Sequence, residues 1–141
     1  MSQAFSSYPK DFDGWIVKKK NCHFKTSLPP MFKERDIWWT SIGVNVGFEE
    51  DGKNSNYVRP VLVVKKFNRD IFLGVPMSLQ LKDNKYYVKV TVKGEVVSVL
   101  TSQIRVFSAK RFWNKIVELD EGDFAKVQEE LKKFFLPLPQ K

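Results

Sequence analysis

Apolar positions along this chain follow two different periods, and the change between them predicts a helical arm followed by a β domain. From Asp11 to Phe24 (DFDGWIVKKKNCHF), Phe12, Trp15, Ile16 and Cys22 fall at broadly helical spacing around a basic run, with Gly14 as a weak point. Phe12, Trp15 and Ile16 are expected to bury a patch together. Ser27-Leu28-Pro29-Pro30 then ends any helix, because proline lacks the amide donor and restricts the residue before it. From Asp36 the composition turns aromatic and β-branched (IWWTSIGV), which suits a half-buried strand ending near Val44, with Trp38 and Trp39 on opposite faces.

Asn45 to Val58 concentrates Gly, Asn and acid and reads as a long mobile loop. Arg59-Pro60 opens VLVVKKF, a continuous apolar run suited to a central strand with Pro60 as its first residue. Asn68-Arg69-Asp70 turns the chain into IFLGVP. A loop from Met77 to Lys85, the alternating strand YYVKVTV, a Lys93-Gly94 hairpin turn, EVVSVLT and QIRVF follow. Ser108 is placed to cap a helix over AKRFWNKI, and Asp120 to cap a last helix. In that last helix Phe124, Val127, Leu131 and Phe134 share one face, which should lie across the sheet; Pro137 and Pro139 end it. About six short strands with a terminal helix describe a small β-barrel.

Length divides the chain into an arm and linker (1–34) and one barrel domain (35–141), with the arm expected to stand outside the chemistry. No apolar run reaches the roughly 18 to 20 residues that span a bilayer, and MSQAFSSYPKDFDGW lacks a charged start followed by an apolar stretch, so no membrane partner and a cytoplasmic address are expected. Cys22 is the single cysteine and His23 the single histidine, too few for a disulfide or a structural zinc set. As neighbours on a helix they point about 100° apart, so they read as two ordinary helix residues. No metal or cofactor is expected. The net charge of +8 favours a polyanionic partner, although a lysine-rich solubilising surface produces the same number.

Three separated segments decide between these. RDIWWTSIGVNVGFEEDG followed by RPVLVV, then FLGVPMSLQ, then VVSVLTSQIRVFSAKRF together resemble, in order and spacing, the MazF/PemK family of type II toxins, in the form that carries an N-terminal arm. The resemblance covers about Lys33 to Leu136 and includes a G-x-E loop (Gly47-Phe48-Glu49) and the Arg-Pro that begins the second strand. It implies an SH3-like barrel, a homodimer, an antitoxin partner that covers the RNA groove, and sequence-selective cleavage of single-stranded RNA without a metal. It also implies a catalytic arginine and hydroxyl, which fall on Arg59 and, by spacing, on Ser78; Met77-Ser78 departs from the family's usual pair of hydroxyl residues.

Those residue types suit that chemistry. Metal-free cleavage uses the RNA 2′-hydroxyl as nucleophile, so the protein must take a proton, stabilise a phosphorane and protonate the leaving oxygen. A paired-histidine route is closed, since His23 is alone. Guanidinium matches phosphate oxygens with a rigid fork of donors, so Arg59 reads as a phosphate clamp and Ser78 as a further donor. Glu49 is the candidate base or orienting group. Gln103, Lys65, Lys66 and Arg105 are candidate substrate-binding residues, and whichever of Trp38 and Trp39 faces outward is available for a dimer contact or base stacking. Two readings remain beside the ribonuclease: a CcdB-like barrel that grips a protein target, and an RNA-binding protein without turnover.

Overall fold

The computed structural model describes residues 9–137; the first eight residues of the arm, and Pro139, lie outside the described residues. Helix α1 (Phe12–His23) is capped by the Asp11 carboxylate, which accepts the Gly14 N–H at 2.9 Å. Seven strands follow: β1 (Asp36–Ser41), β2 (Val58–Lys66), β3 (Ile71–Ser78), β4 (Tyr87–Val92), β5 (Glu95–Leu100), β6 (Arg105–Ser108) and β7 (Phe112–Glu118). Helix α2 (Glu121–Lys132) closes the domain, its first turn capped by Asp120, which accepts from Gly122 and Asp123. The strands form one curled antiparallel sheet in the order β4-β5-β3-β2-β1-β7, with β6 paired to β3, giving the expected SH3-like small barrel.

Both faces of the sheet are apolar, and this accounts for the unbroken VLVV run of β2. Leu62 joins Ile37, Val75, Val99, Leu119 and Val127 in a core between sheet and α2, while its neighbours Val61 and Val63 join Trp38, Phe72, Phe107 and Phe112 on the opposite face. Burial on both sides removes the alternation that a half-exposed strand shows. The second core is an aromatic stack, with Phe72 and Phe112 rings 4.8 Å apart and Trp38 against Phe112 at 4.6 Å. Trp38 is therefore the core member of the tryptophan pair and Trp39 the exposed one. In the β4-β5 hairpin both turn residues are left-handed, Lys93 at φ 50° and Gly94 at φ 81°, the combination that follows the twist of paired strands.

Several expectations change. AKRFWNKI is not a helix: Ser108 caps only a single tight turn, Ala109–Arg111, and the chain then extends into β7. Pairing with the free edge of β1 (Thr40 opposite Phe112, Trp38 opposite Lys115) and insertion of Phe112 into the aromatic stack outweigh the local helical spacing. Second, β2 begins at Val58, so Pro60 is its third residue, opposite Trp39. Third, the arm buries Trp15 and Cys22 but leaves Phe12, Ile16 and His23 outward. Trp15 rests on Gly43, whose φ of 89° and missing Cβ make room for it; a Cβ there would lie 2.3 Å from the indole.

Candidate active site at the head of β2

Arg59 stands at the start of β2 opposite Thr40, and the following Pro60 keeps its backbone extended. Three groups hold its guanidinium. Nε donates to the Asp51 carbonyl, Nη1 donates to the Met77 carbonyl at 3.4 Å, and Nη2 lies 3.1 Å from the Glu50 carboxylate. Only 14% of the Arg59 side chain is exposed.

Ser78 reaches the same place from β3. That strand pairs with β2 as far as Pro76 and then passes to β5, with Met77 opposite Val99 and Ser78 opposite Ser98. The divergence opens a cleft of about 340 Å³ lined by Arg59, Ser78, Glu50, Lys53, Lys82 and Tyr87 among others. Met77 is buried in the core, whereas Ser78 is half-buried and lines the cleft. The Ser78 hydroxyl accepts the Gln80 N–H at 3.1 Å, which leaves its own hydrogen to donate.

Glu50, which the sequence did not single out, lies beside Arg59 in this cleft. Burial pushes its carboxyl above the ordinary glutamate value, against the opposing pull of Arg59. Adjacent Glu49, chosen from the sequence, turns elsewhere: its carboxylate accepts the Val46 N–H at 2.9 Å and closes a tight turn. Two neighbouring acids offered no way to choose between them, because the loop's turns and not a regular period aim their side chains. Lys53 and Lys82 carried no signal either, being loop cations brought in by tertiary contact.

Glu49, Gln103 and Arg105 come together in an adjoining groove of about 670 Å³ that shares Phe48, Glu50, Ser102 and Gln103 with the cleft. Gln103 is already engaged there: its carbonyl accepts the Glu50 N–H at 3.0 Å and its amide donates to the Phe48 carbonyl at 3.4 Å. Arg105 lies over the Phe107 ring at 4.6 Å, its guanidinium pKa lowered by burial and supported by Glu49. Lys65 and Lys66 are not brought to either depression. They occupy the far end of β2, about 20 Å from Arg59 at the usual strand rise, where Lys66 donates to the Phe32 carbonyl at 2.9 Å and Lys65 faces Glu34 at 3.8 Å.

On the other flank of Arg59 and Ser78 runs an apolar groove of about 510 Å³ walled by Trp39, Pro60, Leu79, Val92 and Ile116. Among the described residues no group of three or more His, Cys, Asp or Glu side chains is placed to hold a metal ion, and no helix is long and apolar enough to cross a membrane.

No curated protein sequence matches the chain. Among solved structures it is similar to MazF from Deinococcus radiodurans, with a TM-score of 0.61 and 18% identity over 77% of this chain and 96% of that one. An endoribonuclease from a mycobacterial species, solved with its cognate antitoxin, gives 0.59 and 12% over 77% and 100%. The Mycobacterium tuberculosis toxin MazF-mt6 gives 0.55 and 13% over 72% and 96%. These share the fold. The family model for PemK-like, MazF-like toxins of type II toxin-antitoxin systems matches residues 33–135, nearly the whole barrel with Arg59, Ser78 and Glu50 inside it. The chain belongs to that family of toxins.

Proposed function

We propose that this toxin is an endoribonuclease that cuts single-stranded RNA by attack of the 2′-hydroxyl, with no metal, and that residues 35–141 carry the chemistry. One observation supports this above the rest: Arg59, Glu50 and Ser78 face one open cleft, a donor fork, a carboxylate and a free hydroxyl hydrogen together. The scissile phosphate displaces Glu50 from the guanidinium. Glu50 then takes the 2′-hydroxyl proton, Arg59 and Ser78 hold the charge growing on the phosphorane, and the P–O5′ bond breaks. Arg59 gives the departing oxygen its proton, leaving a cyclic phosphate and a 5′-hydroxyl.

Glu49, Gln103 and Arg105 border the path of the flanking nucleotides, and Lys65 and Lys66 add sequence-independent attraction at a distance. Sequence selectivity resides in the loops around the cleft. The protein acts in the cytoplasm as a homodimer, and a cognate antitoxin covers the site. The apolar groove beside Arg59 supports a protein partner there, since exposed apolar surface next to a charged cleft is the signature of an interface.

Purified protein incubated with mixed-sequence RNA in EDTA tests the reading. New 5′-hydroxyl ends at defined sequences support it. RNA retarded on a gel but intact makes the protein an RNA binder without turnover, and neither result makes it a CcdB-like binder of a protein target.

A further inference from the structure

We propose that the N-terminal arm, which precedes the family-matched residues, is a latch that positions the loop holding Arg59 and Glu50, with Lys10 as its central group. The proposal rests on the ribonuclease reading for its effect on catalysis, and on contacts alone for the latch itself.

The Lys10 ammonium is where the loop closes on itself. It donates to the carbonyls of Asn45 and Gly47, the latter at 2.8 Å, and pairs with the Asp51 carboxylate at 3.3 Å. An ammonium has three hydrogens to give, and three loop groups take them. The buried Asp51 carboxylate also accepts the Asn45 N–H at 2.6 Å, so both ends of the loop's first half converge on this one ion pair. Asp51 is one bond further from the chemistry: its backbone carbonyl receives Nε of Arg59, and its neighbour Glu50 faces the same guanidinium. Lys10 thus reaches Arg59 through a single intervening residue.

The arm grips the loop's second half as well. The Asp11 carboxylate accepts the Tyr57 hydroxyl at 2.7 Å, and the Trp15 ring tilts against Tyr57 at 5.5 Å. Tyr57 needs holding, because its φ of 55° is left-handed and disfavoured for a bulky side chain. Its carbonyl then accepts the Ile42 and Gly43 N–H groups at 3.0 and 3.2 Å, which sets the strand that begins at Val58 and carries Arg59.

Lys10→Met in the full-length protein keeps most of the stem and removes the charge. Two readouts are taken: hydrogen exchange at the Asn45, Glu50 and Gly52 amides, and single-turnover cleavage resolved into RNA affinity and rate. The latch requires exchange at those amides to rise by about 10-fold or more while the amides of β2 and β3 stay protected. It also requires the cleavage rate to fall by about 10²-fold, as for a small misplacement of reacting groups, with RNA affinity within about 3-fold. Should Lys10→Met fail to fold, Tyr57→Phe, which deletes only the hydroxyl on Asp11, must show the same two changes at about 3- to 10-fold. Unchanged exchange overturns the latch, and so does raised exchange with a wild-type cleavage rate. If wild-type protein leaves RNA intact, the ribonuclease reading fails, and the exchange result by itself decides on the latch.

Discussion

Glu50 and Arg59 sit 3.1 Å apart in a cleft open to solvent, the carboxylate contributed by a loop and the guanidinium by the strand that follows it. Each answers the other's charge. In the proposed mechanism a phosphate arriving at Arg59 takes that place and frees Glu50 as the base.

Arg59→Ala lowers single-turnover cleavage by about 10²- to 10³-fold, the loss typical of a transition-state donor. Arg59→Lys recovers little, because a point charge lacks the fork that meets two phosphate oxygens. Quenched-flow cleavage at saturating RNA checks both, and wild-type rate in Arg59→Ala would remove the proposed site.

Glu50→Gln lowers the rate by about 10²-fold or more, whereas Glu49→Gln, whose carboxylate serves a turn, stays within about 3-fold. The pH dependence carries the same distinction. A protonated Glu50 cannot accept the 2′-hydroxyl proton, so the rate falls on acidification; since burial raises this carboxyl above the ordinary glutamate range, the fall begins at a higher pH than a solvated glutamate would give. A pH-rate profile that retains its acid limb in Glu50→Gln excludes Glu50 as the base.

Ser78→Ala costs about 10-fold to 10²-fold in rate, and Ser78→Thr is tolerated, since the hydroxyl keeps its outward place at the end of β3. Met77→Thr has the opposite outcome. Met77 is buried in the core, so a hydroxyl there lowers the thermal midpoint without replacing the function of Ser78. Melting curves and cleavage rates measured together separate the two positions.

Arg105→Ala reduces the slope of log affinity against log salt by about one and weakens RNA binding throughout, as loss of one phosphate contact requires. Lys65→Ala and Lys66→Ala change that slope by less, because both lysines stand at the far end of β2. Titrations of a non-cleavable RNA at several salt concentrations measure this. Equal slopes for all three variants would place the RNA path along the whole of β2.

Much of this molecule was legible in its residue pattern. The β2 run, the Lys93-Gly94 turn, the Asp120 cap and the arm helix are local events, fixed by period, turn chemistry and capping within a few residues. Arg59 and Ser78 were singled out for a different reason, since motif order and spacing survive in one dimension, and the fold brings both to one cleft. What failed was whatever depended on a distant neighbour. Ala109, Phe112, Trp113 and Ile116 fall at helical spacing, yet the open edge of β1 and the aromatic stack draw that segment into a strand. Glu49 and Glu50 are equivalent in sequence, and only the folded loop aims one at Val46 and the other at Arg59. That loop takes its shape from Lys10, which meets Asp51 across 41 positions of chain. Side chains in an irregular loop have no period to direct them, so their aim comes from the groups the loop rests against, and those groups are chosen by tertiary packing.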